Sequence, residues 1–160
     1  MKNSVILILL LQGSMLFGQV KFENKKLALL NDIFYNTTKE SIDSFMEEKG
    51  FEKVGVEREN EGDITEIHSF TSRFDSVDVY FAKGNKVFAV NCIYDGAPNN
   101  IVIGGELLGK GFTAVSEEEN FGGVTVAKKV WSKAGSKLKF VTSVDEKEKI
   151  GVVGFGNYQE

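Results

Sequence analysis

Lys49-Gly50-Phe51 returns as Lys110-Gly111-Phe112, and the same offset of 61 residues sets Thr38 against Asn99, Ile42 against Ile103, Met46 against Leu107, Val54 against Val115 and Phe70 against Trp131. Val77 and Val79 meet Leu138 and Phe140 at that offset. A two-residue insertion in the later hairpin then aligns Val87, Ala89 and Val90 with Ile150, Val152 and Val153. A period of this length marks one supersecondary unit used twice. It confines the chain to folds in which two similar units, 19–97 and 98–160, build either one core or two small ones.

Each unit begins with a helix. Thr37-Thr38-Lys39-Glu40 puts Glu40 three residues beyond Thr37, the spacing of a capping box, after which Ile42, Phe45 and Met46 fall on one helical face. Gly50 suits the left-handed residue that ends such a helix. An earlier amphipathic segment, about 23–35, carries Leu27, Leu30, Ile33 and Phe34 and predicts a second helix alongside, with no counterpart in the later unit. Four strands follow each helix: about 51–58, 64–74, 76–82 and 87–94, then 112–117, 124–133, 137–144 and 150–155. Gly62-Asp63, Gly84-Asn85 and Gly122-Gly123 mark turns, and 145–149 reads as a charged hairpin tip. Val77, Val79 and Phe81 alternate with Asp78 and Tyr80, as a half-buried strand requires. Val87 to Tyr94 is apolar on both faces, which predicts a strand covered on both sides or one lining a cavity or a partner surface. The expected class is α+β: two helix-plus-four-stranded antiparallel meanders forming a curved sheet with helices on one face.

The first eighteen residues read as an export signal. Lys2 supplies the positive start, Val5 to Leu11 is long enough for a translocon and too short for a bilayer, and Gly18 offers a small residue for cleavage. Gln19 stands where a lipid-bearing cysteine would have to be, so the expected location is periplasmic or secreted without a lipid anchor. Removing this segment takes away Lys2 and no acid, leaving the mature chain one charge more negative than the −4 of the full sequence. No basic stripe is present, which argues against nucleic acid or an anionic membrane as partner. The mature part holds no second apolar run long enough to span a bilayer. Cys92 is the single cysteine and excludes an internal disulfide; within Val87–Tyr94 it reads as a small buried hydrophobe.

Four local patterns carry little chemistry. Gly104-Gly105-Glu106-Leu107-Leu108-Gly109-Lys110-Gly111 resembles a phosphate-binding loop, yet Gly111 occupies the place of the magnesium-binding Ser or Thr and a strand follows where a helix is needed. Glu57 to Ile64 resembles a calcium loop in its alternate acids, but His68 stands where the bidentate Glu belongs. Ser116-Glu117-Glu118-Glu119-Asn120 reads as a charged turn keeping a sheet edge soluble. Asn36-Thr37-Thr38 matches a glycosylation acceptor, with capping the simpler role. His68 is the only histidine, which excludes a histidine metal cluster, and no Ser or Cys nucleophile has a base beside it in sequence. No metal and no cofactor is expected, and no enzymatic activity.

The element order, helix plus four-stranded meander used twice, resembles the tandem-repeat fold of the β-lactamase inhibitory protein family over about residues 21–157. The cysteines typical of that family's repeats have no counterpart here. The resemblance implies a module whose curved sheet grips another protein. Among the aromatics, Tyr80, Tyr94 and Trp131 are the candidate anchors, because Tyr and Trp bury much area yet keep a polar handle. Two functions follow. One is an exported protein-binding module, inhibitor or immunity-like, presenting one sheet face to another exported protein. The other is a carrier of a small apolar ligand in a cavity under the helices, with Val87–Tyr94 as a wall.

Overall fold

The computed structural model describes residues 20–59, 62–121, 124–145 and 147–158. The expected export signal and the Gly122-Gly123 turn lie outside the described residues. Two helices, α1 (Lys25–Asn36) and α2 (Ile42–Glu48), precede four strands, β1 (Glu52–Arg58), β2 (Ile64–Thr71), β3 (Asp75–Ala82) and β4 (Val87–Asp95). Helix α3 (Ala97–Gly109) then leads into β5 (Thr113–Phe121), β6 (Val124–Ser132), β7 (Lys139–Asp145) and β8 (Ile150–Gly156). All eight strands form one open sheet in the order β1-β2-β3-β4-β8-β7-β6-β5, with every neighbouring pair antiparallel. The class is α+β. No described helix is long and apolar enough to cross a membrane.

Period-two alternation assigns the two faces. Val79, Val90, Phe155, Phe140 and Trp131 are successive register partners across five strands, and all are buried. The neighbouring row, Phe70–Val77–Cys92–Val153–Thr142, is buried too. Helix α1 lies over β4 and β8 and adds Leu27, Leu30 and Ile33; α2 adds Ile42 and Met46 beside β1, and α3 adds Ile103 and Leu107 over β7 and β8. Each such side chain contributes about 1.5–3 kcal/mol by leaving water. The strand read as apolar on both faces is the fourth in the sheet, with Val87, Val90, Cys92 and Tyr94 in this core and Ala89 buried on the opposite side.

Both helices that end in Lys-Gly-Phe end the same way. Gly50 and Gly111 adopt φ of 82° and 83°, and the next amide donates back across the last turn, Phe51 to the Met46 carbonyl at 2.9 Å and Phe112 to the Leu107 carbonyl at 3.0 Å.

The capping box does not form. Thr37 Oγ1 instead donates to the Ile33 carbonyl at 2.7 Å and closes α1, while Glu40 accepts from Asn85 Nδ2 at 2.6 Å. The chain turns through Thr38–Ser41 before α2 begins, so Ser41 Oγ takes the Thr38 amide at 2.9 Å. Two further expectations are revised. The register sets Phe140, not Leu138, opposite Trp131, as Val77 stands opposite Phe70, so the β6–β7 turn is two residues longer than the β2–β3 turn. The acids from Ser116 on are strand rather than turn, because β5 pairs with β6 without interruption as far as Phe121.

Candidate functional site

The described helices pack against one side of the sheet, and among the described residues no helix covers the other. One register row crosses all eight strands on this helix-free face: Gly55–Ser69–Asp78–Asn91–Gly154–Val141–Val130–Val115. Its first half is polar, with Ser69 Oγ donating to Asp78 Oδ1 at 2.7 Å. Its second half is aliphatic. Val141 and Val130 are half-buried and Val115 is 60% exposed. The adjacent row adds the partners Ile93 and Val152.

At the centre of the face Asn157 and Tyr158, which follow β8, fold over the sheet. Asn157 donates its amide to the Phe88 carbonyl at 3.0 Å, which brings Tyr158 above Gly154. Tyr158 Oη donates to Asn91 Oδ1 at 2.7 Å, and Asn91 Nδ2 donates to Tyr80 Oη at 3.2 Å. A side chain on Gly154 would meet both Tyr158 Oη and Asn91 Oδ1, so the glycine makes room for this bridge. Burial pushes the Tyr158 and Tyr80 phenols up, and for Tyr80 the nearby Asp78 carboxylate adds to the effect. Both therefore stay protonated in neutral solution and offer hydrogen bonds and ring surface rather than a titrating proton.

Of the three expected anchors, only Tyr80 stands on this face, half-buried. Tyr94 and Trp131 lie on the helix side, 2% and 4% exposed. Tyr94 Oη donates to Asn100 Oδ1 at 2.7 Å, and Trp131 Nε1 donates to Thr142 Oγ1 at 2.9 Å. The structure thus does not gather the three rings on one surface. Asn91, Gly154 and Tyr158 were missed by sequence reasoning; a glycine inside Val152-Val153-Gly154-Phe155 is the signal of a close approach that could have pointed to them.

The weaker motifs find structural roles. The phosphate-loop resemblance is helix: Gly104 and Gly105 lie inside α3, and Glu106 accepts the Glu23 and Asn24 amides at 2.6 and 2.8 Å, bracing the start of α1. The calcium-loop resemblance is the β1–β2 hairpin. His68 is buried, its Nε2 is 3.2 Å from Glu66 Oε2 and its Nδ1 is 3.7 Å from Asp43 Oδ1. Among the described residues no three His, Cys, Asp or Glu side chains converge as a metal site. Cys92 is buried, and burial pushes its thiol up to about 12.

A second concavity lies on the helix side. Helix α3 crosses β7 and β8 and leaves a groove of about 690 Å³ between itself and β6, walled by Ile101, Gly105 and Leu108 on one side and by Ala127, Lys129 and Trp131 on the other. It does not border β4, the wall expected for a ligand cavity. Compared with known proteins, the chain matches no family model, no curated protein and no solved structure.

Proposed function

We propose that this chain is an exported, non-enzymatic binding module, inhibitor or immunity-like, that grips another protein through the helix-free face of its sheet. The observation that carries the reading is the row Asn91–Gly154–Val141–Val130–Val115, in which a hydrogen-bonding tyrosine cluster runs directly into an aliphatic stripe. Aromatic and aliphatic area beside satisfied polar groups is the composition of a protein interface core. On this reading the anchors are Tyr80 and Tyr158 with the valines, while Tyr94 and Trp131 hold the scaffold.

We further read the two halves as repeats of the kind seen in the β-lactamase inhibitory protein family. Two observations support this: the matched Lys-Gly-Phe helix ends, and the pairing of the last strands. With the longer β6–β7 turn allowed for, Val90 corresponds to Val153 and Cys92 to Phe155. Val90 pairs with Phe155 and Cys92 with Val153, the exchange that a two-fold axis imposes on equivalent segments.

The test is a photo-crosslinking residue placed at Val141 and, separately, at Asp32 on α1, in cells exporting the protein. Crosslinks to one partner from position 141 and none from position 32 are expected. Equal yields from both, or a partner reached only from position 32, would overturn the assignment of the face.

A further inference from the structure

We infer that the groove between α3 and β6 is a binding site for an amphipathic monoanion of the long-chain carboxylate class. The site lies on the opposite side of the sheet from the proposed protein-binding face and does not depend on it. Three observations converge here.

The first concerns glycine. A helix interior tolerates glycine poorly, because its backbone loses the most freedom on ordering, yet α3 holds Gly104 and Gly105 in succession. Gly104 has a packing reason: a Cβ there would come within 3.2 Å of Trp131 Cη2. Gly105 has none, since a Cβ there meets nothing within 4 Å. Its effect is to leave the groove unfilled.

The second concerns the walls. Ile101 and Leu108, one face of α3, stand 79% and 60% exposed, which is the apolar surface an alkyl chain would cover. Across from them the edge of the Trp131 ring reaches the groove, its only polar atom already bonded to Thr142, with Ser116 and Ser143 beside it in the lining. A volume of about 690 Å³ falls within the roughly 300–1,000 Å³ typical of small-molecule sites.

The third concerns charge. Among the described residues no acidic side chain lines the groove, although the chain as a whole is acidic. Lys129 lines it on the Trp131 side of β6, and among the described residues its ammonium makes no ion pair. An anionic head group at Lys129 with its chain along Ile101, Gly105 and Leu108 satisfies both features at once. A neutral apolar ligand would leave the lysine unused.

Trp131 is the sole tryptophan, so the groove carries its own reporter. Titrating the purified protein with dodecanoate below its micelle threshold is expected to give a saturable change in Trp131 fluorescence. Dodecanol should bind about fivefold or more weakly, and Lys129→Met should abolish that preference. Gly105→Leu should remove the response while the melting temperature stays the same or rises, since it replaces a helix-interior glycine. The absence of a saturable response, equal affinities for acid and alcohol, or full binding by Gly105→Leu would each overturn the proposal. A self-associating protein that Ile101→Lys renders monomeric, with no response to dodecanoate, would assign the groove to a second copy instead. Loss of the Val141 crosslink leaves these readings untouched, so the two sites fail separately.

Discussion

Gly151 lies beneath the ring of Tyr94: the two are register partners across β8 and β4, and a Cβ on Gly151 would stand 2.6 Å from Tyr94 Cζ. Only hydrogen fits there. The space lets the ring reach over β8 and send Oη to Asn100, joining the central strand to α3. Gly151→Ala is therefore expected to destabilise by about 1–3 kcal/mol, the usual cost of overpacking. Thermal unfolding followed by circular dichroism checks this, at roughly 2–4 °C per kcal/mol for a chain of this size. Tyr94→Phe keeps the ring and should cost only about 1 kcal/mol for the lost hydrogen bond. In a Tyr94→Ala background, the added methyl at position 151 should cost almost nothing, because the atoms it opposes are gone.

The matched helix ends predict matched costs. At φ near +82° an alanine Cβ is strained against its own backbone, so Gly50→Ala and Gly111→Ala should each destabilise by about 1 kcal/mol. Neither site crowds a Cβ with backbone, since nothing lies within 4 Å at Gly50 and only the end of the Lys133 side chain does at Gly111. The two losses should add in the double variant, because the glycines cap different helices. Urea unfolding of the three variants measures this; a cost confined to one site would mean that the helix ends are alike in shape but not in strain.

The same residues mark how far the sequence could be read. Gly50, Gly111 and the alternation Val77–Val79–Phe81 are local signals, fixed by one turn or one strand, and signals of this kind place seven of the eight strands to within about three residues at each end. The capping-box pattern misleads because a Thr serves a helix end as well as a helix start: Thr37 is the C-terminal cap of α1, and both its amide and its hydroxyl donate to the Ile33 carbonyl. The end of β5 was missed because an acidic run looks like a turn until its partner strand is known. Tyr94 and Trp131 could not be assigned to a face from residue type: each has an apolar body and one polar atom, and inside the core those atoms are satisfied by Asn100 and Thr142, partners that only the fold brings to them. The tyrosine cluster needed β4, β8 and the residues that follow β8 to be brought together, which no local pattern encodes.

Cys92 offers a direct test of the core. It sits between Val77 and Val153 in register, fully buried, and its thiol is pushed up to about 12 chiefly by burial, with the Asp75 charge adding to it. A thiol so raised supplies almost no thiolate at pH 8. A disulfide-exchange reagent should therefore leave the native protein unlabelled over hours and modify it fully once denatured. Rapid native labelling would mean that β4 opens readily from under α1.

Acid should loosen the link between the α1–α2 connection and β2. Glu66 accepts from Lys39 at 2.7 Å and lies beside His68, and these contacts, that of Lys39 first, hold its carboxyl below the ordinary value of 4.5. A carboxyl lowered in the folded state contributes stability that is complete above its unfolded value and is lost as pH falls through the folded one. The window therefore opens near pH 4.5 and extends downward. Glu66→Gln cannot change charge, so its stability should fall less steeply than that of the parent between about pH 5 and 3 while the two curves run parallel above pH 6. Lys39→Met should reproduce most of this flattening, because Lys39 is the leading cause of the shift. Denaturant midpoints measured across that range decide it, and identical slopes for parent and Glu66→Gln would show that the ion pair is too well solvated to couple to folding.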